Sequence, residues 1–224
     1  MKYYAIIVAG GSGSRMQNPI AKQFLLLNGK PILMHTLEAF QQCVLNPEIL
    51  LVLNVQLHPY WAALCTAHQF NVPHQVVEGG DHRFHSVKNG LDHINEGIVA
   101  VHDAVRPLVS PELILKSFKI AETKGNAVTG VHPTDSVRKM FEDQSSEMMN
   151  RDAVVLIQTP QTFRVDVLKK AYEEPYRNEF TDDASVVEYA GFKINLITGE
   201  RTNLKITHPE DLKIAALLLN KKGL

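Results

Sequence analysis

The sequence contains only two cysteines, Cys43 and Cys65, and they form no C-x-x-C pair. This excludes a disulfide framework and suits a reducing compartment. An excess of either charge is also missing: 23 Lys and Arg stand against 24 Asp and Glu, for a formal net charge of -1. Proteins that live on bulk attraction to DNA or anionic lipid carry a basic surplus, so neither nucleic acid nor membrane is an expected partner. No run approaches the roughly 18 apolar residues that a membrane helix needs. The apolar start is short and leads into polar Ser12-Gly13-Ser14-Arg15, unlike a secretory signal, so the expected location is cytoplasmic. Internal repeats, low-complexity tracts and a Gly-x-Ser-x-Gly elbow are all missing, and a serine-nucleophile hydrolase therefore has no support.

What is present is 224 residues, 45% hydrophobic, which suits one globular domain over 1–224. Short apolar runs alternate with helical patterns. Tyr4 to Val8 reads as a buried strand. In Ile32 to Cys43, the residues Leu33, Leu37, Phe40 and Val44 recur about a turn apart, as on an amphipathic helix. The spacing continues as strand Ile49 to Leu53, helix Trp61 to Phe70, strand Gln75 to Glu78, helix Ser86 to Asn95 and strand Ile98 to His102. Next come a helix from Pro111 to about Lys124 with Ser110 as N-cap, and a strand over Ala127 to Val131. This alternation predicts an α/β fold with a mostly parallel sheet and helices on both faces. The rhythm breaks at about 136–152, which is charged and Met-rich and reads as a hairpin or arm leaving the sheet. It resumes with a strand over Val154 to Ile157 and a helix around Val165 to Tyr172. A terminal helix over Leu212 to Leu219 follows Thr207-His208-Pro209-Glu210-Asp211, with acids first and bases last.

The chemistry concentrates at strand ends. Ala9-Gly10-Gly11-Ser12-Gly13-Ser14-Arg15-Met16 follows the first strand, where glycines let backbone N–H groups approach a phosphate. It is not a dinucleotide fingerprint, because Met16 stands where Gly or Ala is required, and Gly29-Lys30-Pro31 is not a Walker loop. Arg15 and Lys22 add two cations beside the loop, which suits a polyphosphate; a tight turn with solvated basic residues is the plainer alternative. Gly79-Gly80-Asp81-His82-Arg83-Phe84-His85-Ser86 offers a second place to hold a phosphate or a base edge. His102-Asp103-Ala104-Val105-Arg106-Pro107 puts a carboxylate at the end of a buried strand. Such a carboxylate either serves Mg2+ beside a nucleotide or caps the next turn. His82 and His85 lack the partners of a zinc site.

Taken in order, these segments resemble the 2-C-methyl-D-erythritol 4-phosphate cytidylyltransferases, CTP-using enzymes of the non-mevalonate isoprenoid pathway. The resemblance runs nearly end to end and includes Lys22-Gln23-Phe24, Asp135-Ser136, Gln158-Thr159-Pro160-Gln161, Thr181-Asp182-Asp183-Ala184-Ser185 and Asn203-Leu204-Lys205-Ile206-Thr207. It implies a Rossmann-like, nucleotidyltransferase-type fold with a projecting β-arm that pairs two subunits into a homodimer. It implies CTP and methylerythritol phosphate as ligands and Mg2+, or another divalent cation, as cofactor. CTP would be held by Ala9, Gly10, Gly11, Gly13, Arg15, Lys22, Gly80, Asp81, Arg83, Ser86, Asp103 and Ala104. Arg15 and Lys22 would be catalytic and Asp103 would face the metal. The acceptor would meet Arg106, Asp135, Ser136, Arg151, Thr159, Thr181 and Lys205. Six basic residues, Arg15, Lys22, Arg83, Arg106, Arg151 and Lys205, would thus serve one polyanionic pocket. The chain departs from the family pattern at Ala21, where Pro is usual and whose absence would loosen Lys22. It departs also at Ser136 for Thr and Gly10 for Ala. The rival readings are a ribitol 5-phosphate cytidylyltransferase and a non-catalytic nucleotide-binding module.

Overall fold

Along the first strand both faces are apolar and buried: Tyr4 and Ile6 on one side, Ala5 and Ile7 on the other. A strand of this kind must be covered twice, and the chain covers it with helices on both sides. The computed structural model describes residues 1–9 and 20–222. Their elements are β1 (Tyr3–Val8), the short pair β2 (Leu26–Leu27) and β3 (Lys30–Pro31), α1 (Ile32–Gln41), β4 (Glu48–Leu53), α2 (His58–Ala67), β5 (Gln75–Glu78), α3 (Arg83–Leu91) and β6 (Ile98–Asp103). Then follow α4 (Pro111–Lys124), β7 (Asn126–Val131), β8 (Val137–Met140), β9 (Ser146–Met149), β10 (Leu156–Arg164), α5 (Val165–Ala171), α6 (Asp183–Tyr189), β11 (Leu196–Thr198) and α7 (Pro209–Lys222).

Seven strands form one sheet in the order β11-β7-β10-β6-β1-β4-β5. Only β10, among the described strands of this sheet, runs against its neighbours, antiparallel to both β6 and β7. Leu33, Leu37 and Phe40 of α1, Trp61 of α2 and Ile114 and Phe118 of α4 pack on one face. Val87 and Leu91 of α3, Leu168 of α5 and Val187 of α6 pack on the other. A third cluster joins α7, through Ala215, to Leu27, Val105, Leu108 and Ile206. The chain leaves β1 towards β4 and leaves β6 towards β7, in opposite directions across the sheet. That reversal opens a crevice at the carboxyl ends of β1 and β6, where open α/β sheets bind ligands.

The α/β alternation matches the expectation, and Ser110 caps α4 by accepting from the Leu113 N–H at 3.0 Å. Several boundaries differ. Helix α1 ends at Gln41, so Val44 lies beyond it and is 80% exposed instead of joining the apolar stripe. Helix α2 starts at His58, with Pro59 in its first turn, and stops before Gln69, whose φ of 49° no helix accommodates. Helix α3 begins at Arg83 and ends at Leu91. Strand β10 runs to Arg164 and is far longer than Val154 to Ile157, because its polar middle is buried and hydrogen-bonded. Helix α6 and strand β11 have too few residues for a sequence period to stand out. At 137–149 the chain forms a separate antiparallel hairpin, β8 with β9, pairing Val137 with Met149 and Met140 with Ser146. Met140, Phe141 and Met148 are exposed on it.

Candidate active site

The crevice holds a cleft of about 400 Å³ whose lining includes Ala9, Lys22, Gly80, Asp81, Arg83, Ser86, Asp103, Ala104 and Lys205. A second hollow of about 220 Å³ adjoins it, lined by Arg106, Thr159, Thr181 and Asp182 among others. Arg83, Asp103 and Lys205 line both. The structure therefore gathers, among the described residues, those expected around a nucleotide in one half and several expected around an acceptor in the other. The two halves meet across three charged side chains.

Lys22 opens a 3-10 turn, Lys22–Phe24, whose other two residues are buried anchors. Gln23 donates its amide to the Ala9 carbonyl at 2.9 Å, tying the turn to the end of β1. Phe24 stacks on Trp61 with centroids 6.1 Å apart. The Lys22 backbone is thus fixed without the proline that the family usually places before it. Ala21 has φ -57°, already within the range of a proline ring. We expect Ala21→Pro to raise stability by about 0.4–1 kcal/mol through the unfolded chain, a gain of roughly 1–4 °C in Tm by thermal melting. A lower Tm would show that the preceding backbone cannot accept the ring.

On the facing wall the Gly80 N–H donates to Ser86 Oγ at 3.1 Å, and Ser86 is buried. A Cβ at Gly80 would run into the Cβ of His85, so only glycine lets the loop sit this close to α3. Ser86 shapes the Gly80–Asp81 wall, and Asp81 is the exposed acid on it.

Asp103, at the last position of β6, is the electrostatic centre. Its Oδ2 lies 3.2 Å from Arg106 Nε and 3.1 Å from Lys205 Nζ, and its Oδ1 lies 3.7 Å from Arg83 Nε. Burial alone would raise its pKa. The charges of Arg83, Lys205 and Arg106 outweigh burial and hold the carboxyl well below the usual carboxylate range. The lowered folded-state pKa means that this cluster stabilises the fold throughout the range above the ordinary carboxylate pKa. Its contribution is lost progressively as pH falls from the ordinary carboxylate range down through the depressed value. Next to it, burial pushes His102 down to about 4, keeping that ring neutral. The Ala104 carbonyl accepts from Thr36 Oγ1 of α1 at 2.8 Å, and its N–H donates to the Val8 carbonyl at 3.1 Å.

Two glutamines of β10 hang the neighbouring loops from the sheet. Gln158 donates to the Glu200 carbonyl at 2.9 Å and accepts from the Glu200 N–H at 3.2 Å, pairing as a backbone peptide would. Gln161 donates to Asp182 Oδ2 at 2.9 Å and accepts from the Ala184 N–H at 2.8 Å. The first clamp holds the loop leading to Lys205, which is also fixed by Arg106 Nη1 donating to the Asn203 carbonyl at 2.8 Å. The second holds Thr181 and the start of α6, whose Asp182 and Ser185 form a capping box.

Arg83 is less available than its motif suggested. Its Nη1 and Nη2 donate to the two oxygens of Asp183 at 2.9 and 2.7 Å, and Tyr172 donates its hydroxyl to the same carboxylate at 2.7 Å. Asp183 is fully buried. Arg83 is thus a fixed post between the two halves of the cleft. Arg106, also buried, is similarly committed to Asp103 and Asn203. Thr159 spends its hydroxyl on the Asp103 N–H and His102. Asp135, Ser136 and Arg151 line neither half. They lie at the base of the hairpin, exposed, with Arg151 donating to the Thr134 carbonyl at 3.1 Å. Gly10, Gly11, Gly13 and Arg15 lie outside the described residues. The sequence reading missed Gln23, His102, Gln158, Gln161 and Asp183 as site-building residues; its only signal for them was membership of motifs quoted for other reasons.

Among the described residues no group of three or more His, Cys, Asp or Glu is arranged to hold a metal. Asp103 supplies one carboxylate at the cleft, and its Oδ1 is the less crowded oxygen. That donor set fits a Mg2+ ion delivered on nucleotide phosphates, which needs only one or two protein carboxylates. It does not fit a metal held by protein alone.

A mainly parallel sheet with a ligand crevice at its switch point and a cationic, two-part cleft defines a nucleotidyltransferase-type α/β protein. The family model for 2-C-methyl-D-erythritol 4-phosphate cytidylyltransferase (IspD) matches residues 3–221. The protein of that name from Porphyromonas gingivalis is 48% identical over 220 residues, covering 97% of this chain and 98% of its own. The one from Phocaeicola vulgatus is 46% identical over 98% of this chain and 100% of its own. The crystal structure of 4-diphosphocytidyl-2C-methyl-D-erythritol synthase from Anaerococcus prevotii superposes with a TM-score of 0.83 at 28% identity, over 98% of this chain and 96% of that one. The chain belongs to the 2-C-methyl-D-erythritol 4-phosphate cytidylyltransferase family.

Proposed function

We propose that the protein transfers CMP from CTP to 2-C-methyl-D-erythritol 4-phosphate, releasing pyrophosphate and forming 4-diphosphocytidyl-2-C-methyl-D-erythritol. The observation that carries this reading is the pair of adjoining hollows sharing Arg83, Asp103 and Lys205. One half suits a nucleotide, the other a small phosphate, and the cations stand where the two phosphates must approach. In the step, an oxygen of the acceptor 4-phosphate bonds to the CTP α-phosphorus while the bond to the β-phosphate oxygen breaks, and pyrophosphate takes that electron pair. Repulsion between anions is the main obstacle, so catalysis here is chiefly cationic. Lys22 meets the nucleotide side, Lys205 the junction and Arg106 the acceptor side; the family resemblance adds Arg15. An acceptor phosphate already ionised near neutral pH needs no general base. Asp103, together with the nucleotide phosphates, would hold Mg2+, and the ion would supply further neutralisation of the triphosphate.

Because Asp135, Ser136 and Arg151 stand away from this chain's own cleft, they would act on the cleft of a second copy reached by the β8–β9 hairpin. The exposed Met140, Phe141 and Met148 give that hairpin apolar surface to bury in a homodimer. We expect gel filtration to give a dimer, and Met148→Glu to shift it towards monomer. A monomeric wild type at working concentration would overturn the arm's role. Among the described residues no helix is long and apolar enough to cross a membrane.

The reaction is tested by offering CTP and Mg2+ with either methylerythritol phosphate or ribitol 5-phosphate and measuring pyrophosphate. Release with the first and little with the second is expected. Equal or better turnover of ribitol 5-phosphate would overturn the acceptor assignment. CTP binding with no release from either would make the protein a nucleotide-binding module.

A further inference from the structure

The turn after β6 carries two charged groups of the cleft, Asp103 and Arg106, and beneath it lie His102 and Thr159, both buried. His102 packs edge-on to Phe40 with centroids 5.0 Å apart. The backbone N–H of Asp103 donates to Thr159 Oγ1 at 3.0 Å. Thr159 Oγ1 stands 3.1 Å from His102 Nδ1, and His102 Nε2 stands 3.2 Å from the Arg106 carbonyl oxygen. A carbonyl oxygen can only accept, so Nε2 carries the ring hydrogen. In the neutral ring Nδ1 is then an acceptor, and the Thr159 hydroxyl, already accepting from Asp103, donates to it. The opposite neutral tautomer would set two lone pairs against each other at Arg106. A charged ring would deprive the Thr159 hydroxyl of its acceptor and place an ion in a fully buried position.

We infer that His102, as the Nε2-protonated tautomer, is a positioning residue: together with Thr159 it forms a closed brace that sets Asp103 and Arg106 relative to each other. The brace begins at the Asp103 N–H, passes through the Thr159 hydroxyl and the imidazole, and ends at the Arg106 carbonyl, so both ends of the turn hang on one side-chain pair. Neither side chain needs to meet a substrate to affect the reaction. Thr159 therefore serves the acceptor half from beneath, by fixing the carboxylate that Arg83, Arg106 and Lys205 surround. This inference rests on the cytidylyl transfer proposed above and adds to it how the charged turn keeps its shape.

The test compares Thr159→Val, Thr159→Ser, His102→Phe and the double variant Thr159→Val/His102→Phe, measuring kcat and KM for CTP and the acceptor. The nitrogen shifts of His102 in the wild-type protein are read by NMR. Thr159→Val and His102→Phe should each lower kcat about 10- to 100-fold, as loss of an orienting partner commonly does, with KM changed less than about threefold. The double variant should lose no more than the worse single, because the two side chains act as one unit. Thr159→Ser, which keeps the hydroxyl, should recover most of the turnover that Thr159→Val loses, and the spectrum should show hydrogen on Nε2. Wild-type kcat in Thr159→Val, multiplying losses, a rise in acceptor KM alone, or hydrogen on Nδ1 would each overturn the brace. Should the valine and phenylalanine variants fail to fold, the serine variant and the wild-type spectrum still decide. A wild type that releases no pyrophosphate sinks the reaction reading instead, and the spectrum tests the brace independently of it.

Discussion

Lys22→Ala is expected to lower kcat for pyrophosphate release by about 10²–10³. The magnitude is that of losing one well-placed donor to transition-state charge. Lys22 is half-buried at the nucleotide half of the cleft, on a turn whose rigidity comes from its neighbours. Gln23 and Phe24 carry the anchoring contacts, so truncating Lys22 removes the ammonium and leaves the turn in place. The loss should therefore fall on kcat more than on KM for CTP, since charge on the α-phosphate grows in the transition state. Lys22→Arg should recover only part of the rate, because a planar guanidinium cannot occupy the same point as an ammonium. Turnover near wild type in Lys22→Ala, with CTP and Mg2+ saturating, would sink its catalytic assignment.

The second large effect is on stability. Asp183→Ala should destabilise the protein by about 3–5 kcal/mol, the usual consequence of removing one partner of a buried ion pair. For a chain of this size that corresponds to a Tm lower by roughly 6–20 °C. Asp183 is fully buried, accepts both terminal nitrogens of Arg83 and also takes the Tyr172 hydroxyl. Its removal leaves the phenol without its acceptor and the guanidinium with only the longer contact to Asp103. Asp183→Asn, which keeps the shape and one acceptor, should cost less than the alanine change. Tyr172→Phe, which removes one neutral donor, should cost about 1 kcal/mol. A thermal melt in which Asp183→Ala matched wild type would show that Arg83 finds another partner. Because Arg83 separates the two halves of the cleft, Asp183→Asn should also slow turnover even where it folds fully.

Much of this was legible in the sequence. Apolar runs on β1, β4 and β6 and the cap of α4 declared themselves because burial on both faces and helix capping leave local patterns. The glycines of Gly79-Gly80 and the charged residues of Asp103 to Arg106 did so because their chemistry is unusual at strand ends. What stayed hidden depended on distant partners. Strand β10 looks too polar for a central strand until Gln158, Thr159, Gln161 and Thr162 are seen to bond to the Glu200 loop, the end of β6, the start of α6 and α4 in turn. Asp182 and Asp183 are adjacent acids with nothing local to separate their roles. One caps α6 and the other pairs with a residue one hundred positions earlier. Arg83, Arg106 and Thr159 line the cleft, yet nothing in their motifs tells that each is largely occupied by protein partners.

The antiparallel strand β10 bears on how acceptor preference could change. Gln158 and Gln161 lie three positions apart on one strand and suspend two different loops, those bearing Lys205 and Thr181. Those loops are therefore like two gates hung on a single doorpost. Altering either glutamine alone would skew one side of the acceptor hollow against the other. A variant enzyme that accepts a longer or shorter polyol phosphate is thus more readily reached by exchanging β10 and both loops together than by grafting either loop alone.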